Sequence, residues 1–193
     1  LGKMSLKHRH ETILLIAEFL STLEGKTVVH CNSYVVASDI ADMLRVNGIE
    51  PLLQVNNESN HHSEYNRNDI VKAFKTSYDP NAILLSVNLA RGVDFPEKDI
   101  VNNVIAVLPW ANPVDPLTKA KNSQLGTAWQ HEMMANTIMQ AYGRLPRNEF
   151  KTSMCYIVDT NFNDSKGKGT AKLWFDKHID CFYNWFLEAE IKE

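Results

Sequence analysis

Two arginines beside a glycine mark the part of this chain best suited to bind phosphate. The stretch 140–147 reads QAYGRLPR and places Arg144 and Arg147 at the end of a helical pattern. A guanidinium is a permanently charged planar fork that matches phosphate oxygens, and Gly143 allows a ligand or a second backbone to approach closely. Three-residue spacing places both cations on one side of a helical turn. The stretch predicts a phosphate site, and two surface arginines at a helix end are the simpler interpretation of this motif alone.

A second group of polar residues follows a nearly all-apolar run that is typical of a strand buried on both faces. The stretch 86–94 reads SVNLARGVD. Ser86 can donate to a phosphate, and Arg91 can pair with one. Gly92 permits a tight turn, and Asp94 can accept from a ribose hydroxyl or hold a neighbouring arginine. Since ligands bind at the carboxyl ends of parallel strands, this loop is a predicted binding loop.

The elements that must position these residues alternate along the chain between helical and strand patterns. Helices are predicted over 5–23, 34–46, 64–76, 129–143 and 170–190, and strands over 26–30, 51–55, 82–87, within 101–108, and over 154–158. Ser33 is a predicted N-cap of the second helix. The alternation indicates an α/β fold with a doubly wound, mostly parallel sheet flanked by helices, in a single domain over 4–193.

Composition restricts the classes of function. The 193 residues are 44% hydrophobic and 22% charged with a net charge of -3, so any surface that binds nucleic acid must be local. The three cysteines, one of them Cys31 with a predicted small, buried role, show no metal-ligand spacing and cannot supply four thiolates to an iron–sulfur cluster. No metal site is predicted. Neither a membrane-spanning run nor a signal peptide is visible, which predicts a cytoplasmic or nucleoid-associated, intracellular protein.

Three stretches resemble signature motifs of superfamily 2 helicases, in the expected order. The stretch 140–147 resembles the last motif, 86–94 resembles the fifth motif, and 30–34 (HCNSY) resembles the fourth, in which a Ser-Tyr pair follows a strand. The FP, LPW and PVDP segments at 95–96, 108–110 and 113–116 are similar to the second lobe of the XPD/DinG branch. The chain therefore resembles the C-terminal, second RecA-like motor lobe of such a helicase.

This resemblance implies a shared ATP site. ATP and Mg²⁺ would be held mainly by a first lobe, because no Gly-x-x-x-x-Gly-Lys-Ser/Thr loop occurs in this sequence. Arg144 and Arg147 would stabilise charge on the transferred phosphoryl group as arginine fingers, and Gln140 would position the nucleotide or the attacking water. Gly92, Asp94 and Gly143 would complete the nucleotide side. The full-length protein would be an ATP hydrolase, and this segment alone is predicted to be inactive.

The resemblance also implies partners. Ser33, Ser86 and Arg91 would contact the phosphate backbone of single-stranded DNA, or RNA. The N-terminal motor lobe of the same protein would be the second partner, and neither a membrane nor an iron–sulfur cluster in this segment is implied. Two alternatives remain open: a non-catalytic, degenerate motor lobe that binds nucleic acid or protein, and an α/β domain whose arginines are structural.

Overall fold

Five short strands form one parallel sheet in the computed structural model, which describes residues 6–54, 67–87, 100–126, 128–142 and 154–159. The strands are β1 (Thr27–His30), β2 (Leu52–Leu53), β3 (Ile83–Ser86), β4 (Asn102–Ile105) and β5 (Met154–Ile157). Their order in the sheet is β2-β3-β1-β4-β5, and every pairing is parallel. Each parallel connection needs a crossover, which the intervening segments supply. The predicted parallel α/β sheet is confirmed.

Helices α1 (Leu6–Thr22), α2 (Tyr34–Val46) and α3 (Arg67–Thr76) cover the two faces of this sheet, and the described residues also form α4 (Pro116–Leu125) and α5 (Ala128–Tyr142). Because successive strand residues point to opposite faces, Val29 packs with α1 and α2, whereas Val28 packs with α3. We call the α1–α2 side face 1 and the α3 side face 2. The apolar residues of α3 that follow helical spacing, Ile70, Val71 and Phe74, are buried.

The boundaries of α2 follow from local chemistry. Ser33 has extended backbone and accepts a hydrogen bond from the Val36 amide at 3.3 Å, which satisfies one unpaired N–H of the first turn. The helix ends before Gly48, whose φ of 79° is a conformation that glycine adopts without strain. The predicted cap and the predicted range of this helix are both confirmed.

One strand lies within its predicted range, and one helix was not predicted. Strand β4 falls within 101–108 and begins with two asparagines, whose amides find hydrogen-bond partners inside the protein. Helix α4 was not predicted, since its sequence is polar and carries little apolar periodicity. Its start is nevertheless encoded: Asp115 accepts from the Thr118 amide at 2.8 Å, and Pro116 occupies the first turn.

The chain divides into two compact units, one of residues 1–109 with 137–158 and one of residues 110–136 with 159–193. The sheet belongs to the first unit. In the second unit, the Trp129 indole and the Gln130 amide both donate to the Asn122 carboxamide oxygen. A single domain over 4–193 stays a prediction, and the predicted helix over 170–190 lies outside the described residues. Within the described ranges, no helix has both the length and the apolarity needed to cross a membrane.

Candidate functional site

The carboxyl ends of β1 and β3 lie side by side and bring two predicted site residues to one edge of the sheet. His30 is in register with Ser86, the last residue of β3, and the next amide, that of Cys31, donates to the Ser86 carbonyl at 2.8 Å. Ser33 follows β1 and begins α2, so its half-buried side chain lies at a helix N-terminus. The backbone N–H groups of a helix start favour anions, so this position is compatible with a phosphate.

The Ser86 side chain is already engaged inside the protein. It is fully buried, and its hydroxyl donates to the Gln54 carboxamide oxygen, which also accepts from the Val87 amide at 3.3 Å. Gln54 follows β2 and is itself buried. These contacts fix the chain where it leaves β3, immediately before the stretch that carries Arg91. The predicted contact of Ser86 with nucleic acid stays a prediction.

A small cavity lies beside the carboxyl ends of β1 and β4. Its volume is about 40 Å³, and its lining includes His30, Cys31, Ile105, Thr137 and Ile138. Burial lowers the pKa of His30 to about 4, while the nearby Asn103 side chain acts on that pKa in the opposite direction. The imidazole is therefore neutral at physiological pH. Its Nε2 and the Asn103 Oδ1 are both buried.

The last turn of α5 is attached to this region. Asn103 donates through Nδ2 to the Ala141 carbonyl at 2.7 Å, and both groups are buried. Gln140, the preceding residue and a predicted catalytic residue, is exposed. The predicted motif 140–147 therefore begins on a helix end that the sheet holds through a specific side chain.

The remaining predicted site residues lie outside the described residues: Arg91, Gly92, Asp94, Gly143, Arg144 and Arg147. The contacts predicted for them stay predictions. The two described thiols are chemically quiet, because burial raises the pKa of Cys31 and of Cys155 to about 12. Cys31 is thus the small buried residue that the sequence predicts. In the described part of the chain, no three His, Cys, Asp or Glu side chains gather as metal ligands.

Sequence analysis missed three polar residues that the structure places near the predicted motifs. Gln54 holds Ser86, Asn103 holds Ala141, and the half-buried His30 interacts with the Asn103 side chain. A signal for two of them was available. Polar residues that occur within or at the end of apolar strands must find partners, so the sequence positions of Asn103 and His30 already indicated buried polar contacts.

Comparison with known proteins places this arrangement in a family. A family model described as "Helicase C-terminal domain" matches residues 16–178. The structure of the C-terminal domain of the DEAD-box protein Dbp5 is similar, with a TM-score of 0.51 and 17% sequence identity over 77% of this chain and 70% of that chain. The structure of S. tokodaii Xpd4 is similar with a TM-score of 0.54 and 17% identity, over 88% of this chain. No curated protein sequence matches the chain significantly.

The two structural likenesses concern the fold, which is that of a RecA-like helicase lobe. This chain corresponds to 32% of the length of the Xpd4 chain, so it spans about a third of that protein. The family match covers most of the sequence, including the three stretches that resemble the fourth, fifth and last motifs. The chain therefore belongs to the helicase C-terminal domain family.

Proposed function

We propose that this chain is the second motor lobe of an ATP-dependent DNA helicase. ATP binds between this lobe and a first lobe that holds most of the nucleotide and the Mg²⁺. Arg144 and Arg147 reach that ATP as arginine fingers, and Gln140 positions the nucleotide or the attacking water. Gly92, Asp94 and Gly143 line the nucleotide side of the cleft. Closure of the lobes on ATP, followed by opening after hydrolysis, moves a single strand along the protein.

The observation that carries this proposal is the family match over residues 16–178, which includes the complete QAYGRLPR stretch. The motif supplies the chemistry that phosphoryl transfer requires, because the reaction develops charge on phosphate oxygens that paired guanidiniums can stabilise. The exposed Gln140 at the end of α5 is accessible to a ligand on a facing lobe. Its accessibility supports a position at a cleft rather than in the core.

The nucleic-acid half of the proposal is supported by the carboxyl edge of the sheet. Ser33 lies at the N-terminus of α2, where backbone N–H groups favour an anion such as a backbone phosphate. Ser86 ends the neighbouring strand β3, so the stretch with Arg91 leaves the sheet at this edge. We propose that Ser33 and Arg91 contact single-stranded DNA in this way, and that Ser86, whose buried hydroxyl donates to Gln54, fixes the start of the stretch that carries Arg91. Such contacts hold the strand without reading its sequence.

Alanine substitution of the fingers tests the ATPase half. In the full-length protein, Arg144→Ala and Arg147→Ala should each lower the kcat for ATP hydrolysis by roughly 10³-fold or more, since fingers of this kind contribute roughly 10³–10⁵ in related systems. Affinity for single-stranded DNA should stay within about twofold, because phosphate contacts of the strand lie elsewhere. Steady-state ATPase assays and fluorescence anisotropy measure the two quantities.

The matched control is Arg45→Ala. Arg45 lies in the last turn of α2 and pairs with Asp42 at 3.0 Å and Glu50 at 2.9 Å on the surface. The substitution Arg45→Ala removes the same charge and should leave kcat unchanged. Wild-type turnover in Arg144→Ala or Arg147→Ala would contradict the finger assignment.

Salt dependence tests the DNA half. Arg91→Ala should weaken binding of single-stranded DNA and reduce the slope of log K against log salt by about 0.7, the contribution of one phosphate contact on a single strand. Arg45→Ala again serves as the control of equal charge. An unchanged slope in Arg91→Ala would rule out its phosphate contact. A full-length protein that binds DNA but shows no ATPase in any form would instead favour the non-catalytic binding module.

A further inference from the structure

Three groups on face 2 of the sheet form a buried polar cluster that neither the sequence motifs nor the family match assigns a role. They are the His30 imidazole, the Asn103 carboxamide and the Ala141 carbonyl, and we call them the α5 anchor. His30 ends β1, Asn103 is the second residue of β4, and Ala141 is in the last turn of α5. His30 and Ala141 also line the cavity of about 40 Å³.

The anchor satisfies a group that the helix cannot satisfy itself. The last four carbonyls of an α-helix have no intrahelical partner. The Ala141 carbonyl is one of them, and Asn103 Nδ2 donates to it at 2.7 Å in a buried setting. A side chain of the sheet thus performs the task that a C-cap residue usually performs, and it attaches the end of α5 to β4. Three residues further along the chain is Arg144.

Stability alone is a poor explanation for this cluster. Asn103 Oδ1 and His30 Nε2 are both buried, and the hydrogen bond between these two side chains offsets only part of the effect of burial on the His30 pKa, so burying this polar pair costs free energy of desolvation. An apolar pair of similar volume would avoid that cost and still fill the space. Functional sites are where proteins typically retain such buried polar groups, so the directional bond from Asn103 to Ala141 is the feature that calls for a role.

We propose that Asn103 is a positioning residue: its bond to the Ala141 carbonyl fixes the last turn of α5, and the ATPase role proposed for Arg144 and Arg147, which follow in the sequence, depends on this attachment. This inference rests on the proposed finger role of Arg144 and Arg147. Asn103 itself touches neither nucleotide nor DNA. Small errors in the position of a charged group reduce rate sharply, since a misplacement of about 1 Å costs on the order of 10²-fold.

The kinetic signature follows from when the fingers act. Groups that stabilise the transition state more than bound ATP change kcat and leave KM nearly unchanged. Removing the Asn103 donor should therefore lower kcat by about 10- to 100-fold, with KM for ATP and affinity for DNA within about twofold of wild type. Because a smaller folded fraction also lowers the apparent kcat at unchanged KM, kcat is expressed per folded protein, measured by circular dichroism, and a purely structural role would leave that kcat at the wild-type value.

The chain offers a matched control in the neighbouring residue. Asn102 is also buried in β4, and its Nδ2 donates to the Glu24 carbonyl at 2.8 Å and to the Thr27 hydroxyl at 3.2 Å. Its side chain points to the opposite face, because adjacent strand residues alternate. The experiment compares Asn103→Leu and Asn102→Leu in the full-length protein. Both should lose stability, and only Asn103→Leu should lose kcat.

A second variant keeps the test decisive if Asn103→Leu does not fold. Asn103→Asp keeps the shape and replaces the Nδ2 donor with a carboxyl oxygen. The new carboxyl lies beside His30, whose pKa already responds to the side chain at position 103, so the two groups titrate as a pair, and the carboxylate, once ionised, accepts hydrogen bonds but does not donate them.

The kcat of folded Asn103→Asp should therefore be about 10- to 100-fold below that of wild type, because the ionised side chain cannot donate to Ala141. A wild-type kcat in folded Asn103→Asp would overturn the proposal, as would equal kcat values in Asn103→Leu and Asn102→Leu. Arg144→Ala, measured in parallel, distinguishes failure of the proposed function from failure of the role of Asn103. If Arg144→Ala keeps its turnover, the proposed function fails. If it loses turnover while the Asn103 variants keep theirs, only the role of Asn103 fails.

Discussion

Different kinds of side chain cover the two faces of the sheet. On face 1, helices α1 and α2 cover the sheet with hydrocarbon, and Leu20, Ile40 and Leu44 are fully buried there. The buried polar residue Asn102 on this face has its amide bonded twice. On face 2, α3 contributes an apolar cluster around Phe74, whereas the last turn of α5 meets His30 and Asn103, each with a buried polar atom.

This difference separates the framework from the predicted working parts. A face closed by hydrocarbon holds the sheet in place, and its energy is spread over many contacts of similar kind. A face that contains directional hydrogen bonds fixes particular groups, here the end of α5 and the Ser86 hydroxyl. The stretches 86–94 and 140–147 begin in described elements, at Ser86 of β3 and in the last turn of α5. Substitutions on the two faces should therefore have different consequences.

The largest expected effect is on face 1. Leu44→Ala removes a fully buried side chain from the α2 contact and should lower the free energy of unfolding by about 3–5 kcal/mol, through lost burial and the cavity left behind. Val46→Ala on the same helix is the control, because Val46 is 78% exposed and its truncation should change stability by less than about 0.5 kcal/mol. Urea unfolding followed by circular dichroism measures both. Equal losses would contradict the packing assigned to α2.

The apolar framework is also the part of the fold that sequence predicts well. The range of α2, its Ser33 cap and the inward face of α3 follow from apolar periodicity and capping chemistry, which are local properties. The start of strand β4 is harder to predict from sequence, because its first residues are asparagines whose partners, Glu24 and Ala141, are distant in sequence. Helix α4 was not predicted because its sequence contains few apolar positions.

The candidate site was predictable only in part, for a related reason. Residue types and spacing identified the stretches with Ser33, Ser86 and Gln140, and the register of β1 with β3 brings the first two of these stretches to one edge. The residues that hold those stretches, Gln54 and Asn103, act through contacts between elements that no local pattern encodes. Motifs report the groups that touch ligands, whereas their supports depend on the tertiary structure.

The second largest expected effect is a loss of stability at acidic pH, and it tests face 2. The folded pKa of His30 is about 4 against 6.5 without the protein environment. Between these values the unfolded chain binds a proton that the folded chain excludes, so stability rises with pH through this window and is lost on acidification. The difference in free energy of unfolding between wild type and His30→Leu should therefore shift by about 3 kcal/mol in favour of the variant from pH 7 to pH 4.

Urea titrations of both proteins at a series of pH values measure this shift, because groups common to both cancel in the difference. At neutral pH, His30→Leu should be as stable as wild type or slightly more so, since it removes a buried polar nitrogen. A difference that does not change with pH would show that His30 is not held neutral by burial, and the contrast between the faces would lose one of its two supports.

The smallest effect tests the satisfied asparagine on face 1. Asn102→Leu leaves the Glu24 carbonyl and the Thr27 hydroxyl without their partner, which should lower the free energy of unfolding by about 1–3 kcal/mol. Thr27→Val removes the hydroxyl partner, and that hydroxyl also donates to the Gly25 carbonyl at 3.0 Å. Because the two side chains contact each other, the double variant should lose less than the sum of the single variants, by about 0.5–1 kcal/mol. Strict additivity would mean that the Asn102–Thr27 bond contributes nothing, and the fully bonded amide of face 1 would then resemble the partly bonded one of face 2.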